Sequence, residues 1–253
     1  MSKHKKSLSK SSSNSSFKSN WKKVWKFIWE DDSALSWLAN IVVAFVLIKF
    51  IVYPLLALVL GTQLPIVAVI SESMSHTPTD LCEQRSLFTG DCVKYDDSSY
   101  EICATKYHKK GKLDFDTYWK TCGSWYEDIH ISKTEFESFK LKNGFEKGDV
   151  IVLGRADPEK LEVGDILVFL SNLDSTKSRP YPIIHRIVKI SQTSSGKIYS
   201  TKGDHNGYQI TTFNFNEKQI LEAQVLGRGV AKIPYIGYIK LWFVDLLRLV
   251  GLA

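Results

Sequence analysis

Ile66-Val67-Ala68-Val69-Ile70-Ser71-Glu72-Ser73-Met74 is the stretch whose reading decides the fold. Its five leading residues are apolar and mostly β-branched, the composition of a buried strand. The run ends in a Ser-x-Ser-Met turn, so the strand carries two hydroxyls to its end. A long apolar segment, Ala34 to Leu60, lies immediately upstream.

Working back from that segment, residues 1 to about 19 are almost entirely Ser, Lys and Asn. They hold too little apolar surface to offset chain entropy, and disorder is expected. Trp21, Val24, Trp25, Phe27, Ile28 and Trp29 then alternate with lysines, a mixture suited to a short amphipathic segment at a lipid head-group layer. Ala34 to Leu60 exceeds the roughly 20 residues that cross a bilayer core as a helix. Asn40, Lys49 and Pro54 interrupt it, and Pro54 is expected to end or kink it. Its length disfavours a buried helix of a soluble protein. A cleavable leader is disfavoured because the stretch is about twice a usual h-region and no convincing small-x-small site follows. It reads as an uncleaved, single-pass anchor in the cell membrane.

The formal net charge is +6, and eight lysines precede the first acidic residue, Glu30. Lysines abutting a span set topology and meet anionic lipid, which argues against a nucleic-acid partner. They place the N-terminus in the cytoplasm and everything after Leu60 outside. All four cysteines, Cys82, Cys92, Cys103 and Cys122, fall in that external part. They read as two disulfides with three pairings open. A four-thiolate zinc site lacks the Cys-x-x-Cys pairs it needs, so neither metal nor cofactor is expected.

The expected architecture is mostly β. Val150–Leu153, Ile166–Leu170, Ile183–Ile190, Ile198–Lys202 and Ile220–Leu226 are strand signals, and Gly148-Asp149 and Gly164-Asp165 are turns before strands. Residues 61–78 and 144–238 form the expected core. Residues 79–143 form an inserted, Cys-bearing lobe whose histidines, with His76, read as surface or structural. Residues 1–33 are the basic tail and 34–60 the span. Residues 239–253 are too short and charged to cross a membrane and suit an interfacial or partner-binding helix.

Three separated segments carry candidate chemistry. Ser73 is the candidate nucleophile. His185, on an apolar strand, is the candidate general base, since a neutral imidazole accepts a hydroxyl proton. Asp204, in Gly203-Asp204-His205-Asn206, is the candidate acid that orients it, although such a sequence is also good turn chemistry. Ser71 and the Ser73 backbone N–H are candidate oxyanion donors. Arg186 points to the opposite strand face and reads as an ion-pair residue.

The order of Ser71-x-Ser73-Met74, Ile184-His185-Arg186 and Thr201-Lys202-Gly203-Asp204, with Gly-Asp strands between, resembles signal peptidase I. His185 gives it the look of the archaeal and endoplasmic-reticulum branch, where the bacterial branch carries Lys. The resemblance covers about 65 to 78 and 145 to 238. It implies a membrane-bound serine endopeptidase that removes signal peptides from exported preproteins on the extracytoplasmic face. The partners it implies are signal-peptide-bearing preproteins, the lipid bilayer, and a translocon or auxiliary subunits. Relatives of this branch carry a second Asp six residues after the first; here that position is Ile210. The missing carboxylate supports a rival reading as a catalytically inactive, membrane-tethered binding module. A self-cleaving Ser-Lys peptidase acting through Lys202 is the other alternative.

Overall fold

The computed structural model describes residues 22, 25–85, 92–172, 180–194, 196–212, 215–239 and 242. The expected disorder before residue 20, most of the segment after Ile239, and Asp174 in the loop between strands lie outside them. The chain divides into two compact units, Met1–Leu56 and Ala57–Ala253.

In the first unit, residues 25–30 are helical, and Ser33 caps the next helix by accepting from the Ser36 N–H at 3.2 Å. Two polar side chains inside the apolar run satisfy backbone carbonyls of the preceding turn. Ser36 Oγ donates to Phe27 O at 2.6 Å, and Asn40 Nδ2 donates to Ile28 O at 2.9 Å. Helix α1, Ala34–Leu60, is the candidate membrane span among the described residues. Its large apolar side chains are exposed along the run, as a helix solvated by lipid requires. Pro54 does not end it. A π-helical turn, Ile48–Val52, precedes the proline, and the helix resumes over Tyr53–Leu60. Such a turn changes the local bonding where the proline ring removes a donor.

In the second unit, twelve described strands form three sheets. The principal sheet has seven antiparallel strands in the order β1-β5-β12-β6-β7-β8-β11. These are β1 (Ile66–Ala68), β5 (Val150–Gly154), β6 (Ile166–Leu170), β7 (Pro182–Thr193), β8 (Gly196–Lys202), β11 (Ile220–Leu221) and β12 (Val225–Ile233). The apolar run of the opening stretch forms a shorter strand than its composition suggests. Beyond Ala68, Val69 still exchanges backbone bonds with Asp149 and Gly148, each 2.9 Å, before the chain turns. The expected strand Ile220–Leu226 is in fact two. A 3-10 turn, Glu222–Gln224, separates β11 at one edge from β12, which crosses to lie between β5 and β6.

Val69, Met74, Phe145, Ile151, Leu153, Ile166 and Val168 pack one core cluster. Leu167, Phe169, Ile187, Tyr199, Phe215 and Ile220 pack a second. The two Gly-Asp turns are equivalent: Asp149 accepts from the Glu146 N–H at 2.9 Å, and Asp165 from the Glu162 N–H at 3.1 Å. Each aspartate thus closes a turn around a left-handed glycine.

Residues between Thr79 and Asn143 contribute a three-stranded sheet, β2 (Thr79–Arg85), β3 (Cys92–Ile102) and β4 (Thr105–Tyr107). Helices α2 (Phe115–Asp128) and α3 (Lys133–Ser138) follow, N-capped by Asp114 and Ser132. The disulfides are Cys82–Cys92, within the β2–β3 hairpin, and Cys103–Cys122, which ties the β3–β4 turn to α2. Tyr118, Trp119, Tyr126 and Phe136 form a largely aromatic core that also takes in Val188 of β7.

Candidate active site

Ser73 sits in a turn where Ser75 N–H bonds Glu72 O at 2.9 Å. Both faces of that turn are tied down. His205 N–H donates to Ser73 O at 2.9 Å, and Phe145 N–H donates to Met74 O at 3.0 Å. Met74 is buried at 1 % exposure and anchors the turn in the core, while Ser73 stays partly open to solvent. Gly144, at φ 61°, permits the close approach: a Cβ there would stand 2.2 Å from Met74 O. Ser71 Oγ lies 3.2 Å from Ser73 Oγ, and this is the hydroxyl contact Ser73 makes in the free chain.

His185 lies on β7 opposite Leu167 of β6, 3 % exposed, with its ring 6.5 Å from that of Phe169. Its Nδ1–H donates to Glu217 Oε1 at 2.5 Å. That bond sets the tautomer and leaves the Nε2 lone pair free on the other side of the ring. Nε2 faces Gly203, where an added Cβ would stand 2.9 Å from Nε2 and 2.6 Å from Ser73 O. The bare glycine therefore lets imidazole and nucleophile turn approach across it.

The carboxylate that meets His185 is therefore Glu217, not the expected Asp204. Strand alternation explains the correction. Thr201, whose Oγ1 lies 3.4 Å from Glu217 Oε1, pairs with Ile187 and faces with His185. Lys202 pairs with Arg186, and Asp204 follows on that opposite face. There Asp204 accepts from Arg186 Nε at 2.9 Å and Nη2 at 2.5 Å, and from Tyr126 Oη at 3.2 Å. His76 Nε2 lies 3.4 Å away. Burial raises the Asp204 carboxyl, but Arg186, helped by His76, outweighs it and holds the group well below the usual carboxylate range. Arg186 also donates to Gly164 O, Lys140 O and Leu141 O, and its guanidinium lies 4.8 Å from the Phe136 ring centre. This is a structural hub. His76, stacked 3.5 Å from Tyr118, belongs to it and is buried rather than superficial; burial lowers its pKa.

Glu217 was hidden by the family spacing. Ile210 occupies the position where that spacing asks for an acid, and Ile210 N–H donates to Glu217 Oε2 at 2.5 Å. Glu217 N–H returns a bond to Ile210 O at 2.9 Å. Between them the chain makes a hairpin of β9 (Thr211–Thr212) and β10 (Phe215–Asn216). The carboxylate thus reaches the His185 ring from seven residues beyond Ile210. The available signal was that Glu217 is the first acidic residue after Asp204.

Lys202 is fully buried, its Nζ 5.1 and 4.8 Å from the ring centres of Trp125 and Tyr126, and it donates to Gly203 O at 3.1 Å. Burial lowers its pKa to about 8. Among the described residues it bonds no serine hydroxyl, so Lys202→Met is expected to leave any peptidase activity within about tenfold of wild type. The folded pKa lies below the unfolded value, so the cost of burying the charge is present in full below pH 8 and relieved as pH rises toward the unfolded value. Lys202→Met therefore raises the thermal midpoint in detergent at pH 7, by on the order of 3 kcal/mol of stability, and the gain shrinks by pH 10. A dead variant would instead reinstate the Ser-Lys mechanism.

The fold and site together define a class: a histidine on an antiparallel sheet, a buried carboxylate in a turn bonded to one side of its ring, and a serine turn on the other. No family model matches the chain. Curated relatives do. It is 30% identical over 106 residues to the signal peptidase complex catalytic subunit SEC11 of Pyricularia oryzae, covering 41% of this chain and 59% of that protein. It is 26% identical over 144 residues to SEC11 of Lodderomyces elongisporus, covering 53% and 82%. The human subunit SEC11C is 28% identical over 110 residues, covering 43% and 55%. The chain thus spans little more than half the length of two of these three relatives. The likeness read from the motifs is to the catalytic subunits of the endoplasmic-reticulum type of signal peptidase.

Proposed function

We propose that this chain is a membrane-anchored serine endopeptidase that removes signal peptides from exported preproteins on the extracytoplasmic side. The observation that carries the reading is the His185 ring, held through Nδ1 by Glu217 with Nε2 turned toward the Ser73 turn. In the mechanism, Ser73 Oγ leaves Ser71 and attacks the substrate carbonyl while His185 Nε2 takes its proton. The tetrahedral oxyanion is met by the Ser73 N–H and the Ser71 hydroxyl. His185 then protonates the leaving amine, and the peptide C–N bond breaks to give an acyl-enzyme. Water, deprotonated by the same nitrogen, releases the signal peptide and restores Ser73. Glu217 supports the imidazolium formed in both steps.

The inactive-module reading rests on a missing acid, and the carboxylate of Glu217 at His185 favours the enzyme over it. Lysines before α1 and disulfides after it favour a cytoplasmic N-terminus and an external site. The relatives' names favour further subunits as partners. Detergent-solubilised chain incubated with a model preprotein tests the reading. The expected product begins after a residue with a small side chain, as the resemblance to signal peptidase I implies, and placing Phe there blocks it. An uncleaved preprotein, or cleavage indifferent to that substitution, overturns the reading.

A further inference from the structure

We propose that a cleft beside the nucleophile receives the polar stretch of the substrate that follows the cleaved bond, and prefers lysine or arginine there. The proposal rests on the peptidase reading and names what that site selects. The cleft has a volume of about 770 Å³. One wall is Glu72, Asn206 and Tyr208; the other, from the β2–β3 hairpin, is Asp80, Tyr95 and Glu101. Glu72 directly precedes Ser73, and the N–H of His205, another lining residue, donates to Ser73 O at 2.9 Å, so the cleft adjoins the serine turn.

Among the described residues the lining holds three carboxylates and no Lys or Arg. Lys110 reaches Asp80 at 3.3 Å from outside the lining, in an exposed pair that removes little of its field. Glu72 and Glu101 have no ion pair among the described residues. His205, at the base, adds no cation. Its Nδ1–H donates to Ser75 O at 3.2 Å, Nε2 accepts from Thr79 Oγ1 at 3.1 Å, and burial lowers its pKa. Tyr95 and Tyr208 offer exposed ring faces to aliphatic stems and cationic heads.

A second observation points to a peptide. Asn206 Nδ2 is buried without a partner among the described residues. It stands 2.7 Å from the Cβ position on Gly203 that also meets Ser73 O and His185 Nε2. Asn206 lines the cleft while its unmet amide is buried against Gly203, between cleft and serine turn, so a substrate carbonyl that reached it would satisfy a donor the free chain leaves unpaired. An apolar signal peptide is poorly matched to three carboxylates, whereas the polar segment beyond the bond suits them.

The test measures binding apart from cleavage, on the full-length Ser73→Ala chain in detergent. Two labelled peptides share one signal segment and carry either lysines or glutamates in the residues after the bond. Fluorescence anisotropy is expected to show about tenfold tighter binding of the lysine peptide at low salt, fading toward parity in high salt. Adding Asp80→Asn with Glu101→Gln removes the preference. Equal binding of the two peptides, a preference that survives both neutralisations, or an equal gain when the lysines precede the bond overturns the proposal. If the lysine preference holds but wild-type chain cleaves neither peptide, the cleft stands and the peptidase reading falls.

Discussion

If the proposed mechanism holds, Glu217→Gln is expected to lower kcat for preprotein cleavage by about 10³–10⁴-fold while leaving KM nearly unchanged. That is the scale on which an amide in place of the orienting acid acts in serine proteases. An amide keeps the shape of the side chain but cannot stabilise an imidazolium. Its NH₂ can also face Nδ1 and favour the tautomer that places hydrogen on Nε2, where the serine proton must arrive. Ser73→Ala and His185→Ala each remove on the order of 10⁶. Combining Glu217→Gln with His185→Ala adds little to the histidine change alone, because the acid acts only through the ring. Glu217→Asp recovers part of the rate if its shorter arm still meets Nδ1. Steady-state cleavage of a fluorogenic preprotein peptide, with correct folding verified by thermal unfolding, measures all of these. A Glu217→Gln enzyme within tenfold of wild type would remove Glu217 from the mechanism. A matching loss in a folded Asp204→Asn enzyme would restore the aspartate to it.

Much of the architecture was legible because its signals are local. The strand Ile166–Leu170 is a short β-branched and aromatic run, and each Gly-Asp turn announces itself by a glycine at positive φ followed by a side chain that accepts from the backbone. The membrane segment is legible from length alone, although its passage through Pro54 is not. Whether a helix stops at a proline depends on the backbone rearrangement available in the turn before it. Ile220 to Leu226 misleads for a related reason. One apolar run supplies two strands at distant places in the sheet, and only the three-dimensional path separates them.

The site divides in the same way. Ser73 and His185 lie in segments whose order carries information, so both could be named. The acid could not, because a carboxylate's partner is set by strand face and by the length of an intervening hairpin. Counting six residues from Asp204 leads to Ile210, whose backbone touches the carboxylate that meets His185 while its own side chain contributes none. Alternation along β7 held the remaining clue. Arg186 lies on the strand face opposite His185, and β8 pairs it with Lys202, two residues before Asp204. The aspartate was therefore on the arginine's side of the sheet from the start.

Asp204→Asn is expected to cost about 3–5 kcal/mol of folding stability, the scale for stripping one partner from a buried ion pair. Arg186 and Asp204 are both fully buried, and the guanidinium has no second carboxylate among its bonds. Its carbonyl partners, Gly164 O, Lys140 O and Leu141 O, satisfy hydrogens without neutralising charge. The loss should reach the lobe as well, since Tyr126 Oη bonds the carboxylate and Tyr118 Oη bonds the Asp204 carbonyl at 2.9 Å. Replacing both charges, Arg186→Met with Asp204→Asn, should cost less than Asp204→Asn alone, because no unpaired cation remains. The pH dependence has a definite sign. The folded pKa of Asp204 is depressed, so its contribution is present in full above the unfolded carboxyl pKa, about 4, and is lost as pH falls through the lower folded value. The gap in thermal midpoint between wild type and Asp204→Asn should accordingly be present in full at pH 7, widen as pH falls through the histidine range because His76 loses its carboxylate partner, and narrow below pH 4. A double variant less stable than Asp204→Asn would show that the arginine is held by its carbonyls and aromatic neighbours rather than by the aspartate.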